Sequence, residues 1–351
     1  MKFATIVITV LFLVSCQESA THQVSTEISK DESTISGDEF TLVFASCNDP
    51  HRPQLLWQPI LENKPDAFIW GGDNIYADTD DMEKMKADYD LVLANKEYQQ
   101  LKESTPIYGT WDDHDYGKND AGKEWSHKEQ AKELFLDFLG TYNTDVLNHP
   151  GVYTSYNLKT ANAASYIKLI LLDTRTFRDG LKKSEDPDKR YDAWEGSEGG
   201  TILGVEQWSW LEKELQDSDA AFTLIVSSIQ FLNNNHGWEK WGNHPSEMLK
   251  LEAMIQKAQA KNIIVLSGDR HMAEISKKSI ADKSYPLIDF TTSGLTHTWI
   301  DGATEKNQYR ISNVIKHLNF GVLRFNFKEQ SVTYEIRGKD NFLFETYTQS
   351  Y

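Results

Sequence analysis

The sequence predicts an α/β fold in which a mixed sheet, or two packed sheets, is flanked by helices. Three observations lead there. From Glu39 onward, short apolar runs alternate with amphipathic stretches of helical period. Polar residues gather just after the C-terminal ends of the apolar runs, the edge at which open α/β sheets take their ligands. Toward the C-terminal end several short strands follow one another, which points to a mixed sheet or a two-sheet sandwich.

Phe40 to Ala45 reads as a buried strand, and Leu55 to Glu62 as a short helix behind Pro53. Asp66 to Trp70 is a second strand that ends in Gly71-Gly72, and Asp80 to Leu101 is helical, as one helix or two. Pro106 to Trp111 is a third strand. Ser126 to Leu139 is a helix with Ser126 as its cap, since Glu129 follows at capping-box spacing. Tyr153 to Leu158 and Tyr166 to Leu172 are strands joined by the turn Thr160 to Ala164, and Gly180 to Gly200 is an acidic, glycine-rich loop. Val205 to Leu215 is a helix, Ala221 to Ile229 a strand, Pro245 to Ala260 a helix and Asn262 to Leu266 a strand. Shorter strands continue to Thr346.

The 351 residues are 39% apolar and 12% aromatic, enough for a large core. A formal net charge of −17 repels nucleic acid and anionic lipid as extended partners, so no nucleic-acid-binding surface is expected. It leaves room for a small phosphoester substrate, because a bound cation inverts the local potential. At the N-terminus Lys2 precedes an apolar run from Ile6 to Val14, too short to span a bilayer comfortably. With Leu13-Val14-Ser15-Cys16 as a lipobox, residues 1–16 resemble a bacterial lipoprotein signal, which implies cleavage before Cys16 and lipidation of its thiol. Residues 17–37 are rich in Ser, Thr and Glu and read as a flexible tether, leaving 38–351 as one catalytic domain. The expectation is a monomer, exported and lipid-anchored, facing the periplasm or the cell surface. With Cys16 acylated, Cys47 has no disulfide partner.

Four polar bursts follow strands: "SCNDP" (Ser46 to Pro50), "GGDNIYAD" (Gly71 to Asp78), "WDDHDYGKND" (Trp111 to Asp120) and "SGDRHMAE" (Ser267 to Glu274). Taken singly, each has a plain structural reading: a buried thiol, a helix-capping Asp, a solvated loop, an ion-paired Arg270. Four of them at four strand ends point to one centre. Asp73, Asp112, Asp113, Asp115 and Asp269 are too many carboxylates to converge without a cation. Cys47, Tyr76 and His271, with Asp73, offer thiolate, phenolate, imidazole and carboxylate, a set suited to iron or zinc. Asp113 and Asp269, with Asp73 bridging, offer oxygen alone, which suits Ca²⁺, Mg²⁺ or Mn²⁺. Two such ions clamp a phosphoryl group and turn water into hydroxide. His114 is the candidate to protonate the leaving oxygen, held by Asp115 or by another carboxylate.

"FASC", "GGDNIYAD", "GTWDDHDYGKND", "LLDTRTFRD" and "SGDRHMAE" together resemble the alkaline phosphatase D (PhoD-like) family of the calcineurin-like metallophosphoesterase superfamily, from about Phe40 to Trp299. The resemblance implies a four-layer αββα sandwich of two mixed β-sheets flanked by helices. It also implies phosphomonoesterase or phosphodiesterase activity with Fe³⁺ and Ca²⁺, for which Zn²⁺, Mn²⁺ or Mg²⁺ can substitute. Carried over, Cys47, Asp73, Tyr76 and His271 hold the iron, Asp73, Asp113 and Asp269 hold the second ion, and His114 with Asp115 form the catalytic pair. Arg175, in "LDTR", either reaches the phosphate or makes a structural ion pair. Gln230 stands where many metallophosphoesterases carry a histidine ligand. His236, Trp238 and Trp241 either line the substrate pocket or anchor a packed surface loop, and His297 is a further substrate-facing candidate. Two departures stand out: the leader has no Arg-Arg pair, so export precedes metal loading, and only the tether comes before Phe40, without the extra N-terminal domain of longer members. The expected function is a lipid-anchored metallophosphoesterase. A phospholipase D-like phosphodiesterase is the alternative within the same chemistry, and a non-catalytic phosphate-binding lipoprotein the alternative outside it.

Overall fold

Period-2 alternation sets the layers. In β1 (Glu39–Ala45), Leu42 and Phe44 face one side while Val43 and Ala45 face the other. The chain continues through α1 (Trp57–Glu62), β2 (Ala67–Gly71), α2 (Met82–Leu93), α3 (Lys96–Ser104), β3 (Ile107–Thr110), the single turn α4 (Asp113–Tyr116) and α5 (Lys128–Leu139). Next come β4 (Thr154–Lys159), β5 (Tyr166–Leu171), the two-residue strands β6 (Lys182–Lys183) and β7 (Tyr191–Asp192), α6 (Gly204–Gln216), β8 (Phe222–Ser227), α7 (Pro245–Lys257) and β9 (Ile263–Ser267). The last strands are β10 (Ala273–Ser279), β11 (Pro286–Thr292), β12 (Phe320–Asn326), β13 (Ser331–Arg337) and β14 (Leu343–Ser350). This computed structural model describes residue 1 and residues 38–140, 142–159, 165–300 and 305–351. The expected signal peptide, the lipidated Cys16, the tether and the Thr160 to Ala164 turn lie outside the described residues.

Two six-stranded mixed sheets result, in the orders β14-β13-β12-β1-β2-β3 and β10-β11-β9-β8-β5-β4. Each contains a parallel trio made by helical crossovers: β1, β2 and β3 in the first sheet, β5, β8 and β9 in the second. Leu42, Phe44, Leu169, Leu224, Leu266 and Phe290 interdigitate between the sheets. Val43, Phe68 and Trp70 pack outward against α1, α2, α3 and α5, through Trp57, Tyr89, Tyr98 and Phe135. Ile225, Ile263 and Val265 pack outward against α6 and α7, through Trp208, Leu211 and Leu251. The order is therefore helix, sheet, sheet, helix, the four layers expected.

Most elements fall where the sequence places them, with local differences. The stretch from Asp80 to Leu101 is two helices, because Asn95 leaves helical geometry and caps α3 by accepting from the Tyr98 amide at 2.9 Å. Ser126 does not cap α5: His127 holds the cap position, and Ser126 Oγ lies 3.1 Å from His127 Nδ1. The Gly180 to Gly200 loop carries the small antiparallel ribbon of β6 and β7. The final strand runs past Thr346 to Ser350. Among the described residues no helix is long and apolar enough to cross a membrane.

The C-terminal ends of both parallel trios lie at one end of the sandwich, where their loops bond to one another. The Asn48 amide donates to the Asp73 carbonyl at 2.8 Å, Gly268 to the Ser228 carbonyl at 2.9 Å, and Thr296 to the Cys47 carbonyl at 3.3 Å. Two glycines permit this approach. At Gly72, with φ +99°, a Cβ would lie 2.6 Å from the Asp112 Cβ, and at Gly268 it would lie 2.6 Å from Ser46 Oγ. Leu266, fully buried at the end of β9 between the sheets, tests how far this end depends on sheet docking. Leu266→Ala is expected to lower stability by about 2–5 kcal/mol in urea denaturation, the cost of a large-to-small change in a dry core.

Candidate active site

The four polar bursts converge at this end. Donor atoms of Cys47, Asp73 and His271 all lie within 4.8 Å of one another, as do oxygens of Asp73, Asp112, Asp113 and Asp269, so Asp73 belongs to both groups. Cys47 Sγ donates to Asp73 Oδ2 at 3.5 Å, and the Tyr76 hydroxyl donates to the same oxygen at 3.1 Å while lying 2.9 Å from His271 Nε2. Cys47, Asp73, Asp269 and His271 have φ of 62°, 52°, 66° and 50°. Left-handed backbone in residues other than glycine costs of order 1–3 kcal/mol each and persists where surrounding structure enforces it, typically at functional sites.

Electrostatics says what is missing. Burial pushes the Asp73 carboxyl well above the usual carboxylate range; His114 offsets part of this, and Asp113, Asp112 and Asp115 add to it. Burial, then Asp112 and Asp113, do the same to Asp269. The Cys47 thiol and the Tyr76 phenol are also pushed up, first by burial and then by Asp73. His271 goes the other way, down to about 3, mainly through burial, and so stays a neutral imidazole. Left to themselves these groups keep protons that ligation removes. Asp112 Oδ2, moreover, is buried without a hydrogen-bond partner among the described residues. A cation at each group satisfies the carboxylates, the thiol and the phenol at once, so the residues fit a bound metal pair. The donor chemistry differs between the two: sulfur, phenol and imidazole on one side, carboxylate oxygen alone on the other.

His114 sits beside both groups. Its amide donates to Asp113 Oδ1 at 3.0 Å and to Asp73 Oδ1 at 3.4 Å. Its ring is held by Asp78, with Nδ1 2.7 Å from Asp78 Oδ2, and not by Asp115. Burial disfavours a charged His114, but Asp113, Asp73 and Asp78 outweigh it and push the imidazole up to about 11. Asp115 is fully buried and organises backbone: it accepts from the amides of Asp112, Asn74 and Asp73 at 2.7, 3.1 and 3.2 Å, and from Asn74 Nδ2 at 2.6 Å. It ties the loop after β2 to α4.

Arg175 takes the structural alternative. It is fully buried, with Nε donating to Asp112 Oδ1 at 2.5 Å and Nη1 to Glu239 Oε2 at 2.7 Å. Arg178 pairs with the other Glu239 oxygen at 2.9 Å. Gln230 is not drawn to the metal groups: its Nε2 donates to Glu274 Oε1 and Thr291 Oγ1, both at 2.9 Å. His236 is buried, and its Nδ1 accepts from the Trp238 amide at 3.3 Å. Trp241 is fully buried, with Nε1 donating to Ser227 Oγ at 2.9 Å. The 227–247 loop is thus anchored by His236 and Trp241, while Trp238 reaches the cleft. His297 is drawn in, its ring centroid 4.4 Å from His271 and 4.8 Å from Tyr76.

A cleft of about 70 Å³ opens over the centre, lined by Asp113, His114, Asp269, Arg270 and His271 at its base and by Asn119, Asp120, Arg190, Trp238, Glu239 and Trp299 around it. Sequence reasoning gave no role to Asp78, Glu239, Arg190 or Trp299. Asp78 was within reach, since it lies in the "GGDNIYAD" burst and "another carboxylate" was the stated need. The others depend on contacts between distant loops.

A family model described as PhoD-like phosphatase matches residues 42–336. Alkaline phosphatase D of Bacillus subtilis (strain 168) is 22% identical over 271 residues, which make up 66% of this chain and 46% of that protein. The chain thus spans a little under half the length of that curated relative. Among solved structures, one titled "Structure of PhoD" superposes with a TM-score of 0.66 at 17% identity, over 89% of this chain and 68% of that one. A dimetal phosphatase from Danio rerio superposes with a TM-score of 0.51 at 13% identity, over 89% of this chain and 99% of that one. At such identities the structural likenesses speak for the fold.

The role of Arg175 can be measured. Arg175→Gln takes the buried cation from Asp112 and one of two from Glu239, and is expected to cost about 3–5 kcal/mol in urea denaturation. An arginine that only touched phosphate would instead raise KM and leave stability intact.

Proposed function

This chain belongs to the PhoD-like phosphatase family, and we propose that it is a metal-dependent phosphoesterase acting on small phosphomonoesters or phosphodiesters. The observation that carries the proposal is the sharing of Asp73 between a Cys47, Asp73, His271 group and an Asp73, Asp112, Asp113, Asp269 group, with His114 beside both. Tyr76 joins the first group through its bonds to Asp73 and His271. We assign Fe³⁺ to this first group, with Zn²⁺ as its substitute, and Ca²⁺, Mg²⁺ or Mn²⁺ to the oxygen-only group. Bound there, the two ions supply the charge that polarises phosphoryl oxygens and acidifies an attacking water.

The chain's own residues do the rest. Asp78 holds His114 Nδ1, which leaves Nε2 to give its proton to the departing alkoxide. Asp78, which belongs to neither metal group, favours the protonated form of this ring. Asp115 fixes the backbone of Asp73 and Asn74, so the shared ligand is aimed before anything binds. Arg175 neutralises Asp112 from behind and keeps this carboxylate next to the oxygen group. The leader, with its lipobox, supports export and lipid anchoring as part of this proposal.

Two experiments test the reading. Metal-loaded protein is assayed on a chromogenic monoester and a chromogenic diester; Asp73→Ala is expected to abolish turnover. His114→Ala should lower kcat by about 10²–10⁴, the usual range for a lost general acid, with Asp78→Asn following in the same direction but less far. Wild-type protein that holds its metals and cleaves neither ester sinks the hydrolase reading. The monoester-to-diester ratio separates an alkaline phosphatase from a phospholipase D-like enzyme. In the second experiment, elemental analysis and visible absorption are compared for wild type and Cys47→Ser. The variant is expected to lose or exchange its transition metal and the phenolate-to-iron colour. Unchanged metal content would return Cys47 to a packing role.

A further inference from the structure

The cleft over the centre has Asp113, His114, Asp269, Arg270 and His271 at its base, where the phosphoryl group belongs on the proposed reading. The residues around its mouth are then placed to meet the organic part of an ester. One side of the mouth carries aromatic rings in edge-to-face contact. Trp299, 37% exposed, stands edge-on to His271 with ring centroids 5.2 Å apart. Trp238 packs against Trp299 at 4.7 Å, and the Arg190 guanidinium lies over Trp238 at 5.3 Å. Arg190 is held there by Asp120, to which its Nη1 donates at 2.6 Å, and its side chain remains 44% exposed.

The three residues come from separate segments: Arg190 just before β7, Trp238 from the loop after β8, and Trp299 from the chain after β11. Neither tryptophan belongs to any of the three hydrophobic clusters that hold the layers together. Their ring surface is therefore not used by the core, and it lies one ring away from a residue of the metal groups.

We propose that Trp299, Trp238 and Arg190 form a stacking site for the planar base of a nucleoside phosphate ester. The proposal rests on the phosphoesterase reading and names the substrate class of that site. The exposed Trp299 indole, with the Arg190 guanidinium one ring further on over Trp238, offers a planar base an aromatic face and a cationic plane. A cationic head group is disfavoured, because Arg190 already covers Trp238 and repels it. A polyol offers no flat face to the indoles. A nucleic-acid strand is disfavoured by the net charge of −17, which leaves the mononucleotide.

The test compares adenosine 5′-monophosphate with glycerol 3-phosphate on the full-length, metal-loaded protein. Wild type is expected to show kcat/KM at least about tenfold higher for the nucleotide, carried by KM, since one base on one aromatic ring is worth about tenfold. Trp299→Ala is expected to cost the nucleotide about tenfold more than it costs glycerol phosphate, with Trp299→Phe restoring most of the difference. No preference in wild type, or equal losses on both esters, overturns the proposal. Should wild type cleave neither of these monoesters, the chromogenic diester assay decides the hydrolase reading separately. Titration calorimetry with the same two compounds then decides: nucleotide binding that is tighter than glycerol phosphate and weakened by Trp299→Ala supports the stacking site, and equal or absent binding overturns it. Arg190→Ala, on an exposed side chain, gives the same comparison if Trp299→Ala does not fold.

Discussion

Four carboxylates meet at one point of this molecule, three of them buried, and the surrounding structure answers that crowding. Like charges so close do not ionise together without compensation. The compensation comes from several directions. Arg175 takes one oxygen of Asp112 from the protein side. The Asp120 amide and Asn119 Nδ2 donate to Asp113 Oδ2 at 2.6 and 3.2 Å, and His114, Arg175 and the Asp120 amide hold this carboxyl below the usual range against the cost of burial. What is left over faces the cleft, where the carboxyls either keep protons or, on the proposed reading, meet a bound cation.

The fold delivers these groups by repetition. Each sheet has a parallel trio whose helical crossovers return every strand to the same end, so loops far apart in sequence are brought together. The first sheet supplies Cys47, Asp73, Tyr76, Asp113 and His114, and the second supplies Asp269 and His271. The interdigitated layer of Leu42, Phe44, Leu224 and Leu266 sets the distance between the two contributions. Asp112, Arg175, Arg178 and Glu239 carry this registration into the polar layer beside the cleft, where three loops share one buried ion-pair chain.

Much of this is legible in the sequence, for physical reasons. A buried strand in such a sandwich is apolar on both faces, so it appears as an apolar run, and the polar burst after it marks the ligand-bearing edge. Cys47, Asp73, Tyr76, Asp113, His114, Asp269 and His271 were found in this way and do converge. Partner choice was less legible. Asp115 is next to His114 in sequence, yet the single turn of α4 points it into the backbone of the neighbouring loop, and Asp78 takes the ring. Arg175 shows the same limit: "LDTR" at a strand end fits a phosphate contact and an ion pair equally, and Glu239, 64 residues on, decides between them. Gln230 was placed by analogy of position, and hydrogen bonds to β10 and β11 draw it elsewhere.

The left-handed backbone at Cys47, Asp73, Asp269 and His271 has a consequence for how such a site decays. At these positions glycine escapes the penalty that falls on the Cβ, most of all at Cys47, since Asp and His bear left-handed backbone more easily than other residues. Backbone strain alone therefore favours glycine there, and the metal ligation proposed above is what opposes it. A lineage that had abandoned the reaction would drift toward glycine at these places while keeping its strands and its interlayer packing. Reading these four positions is thus a simple way to tell a working member of this fold from a retired one.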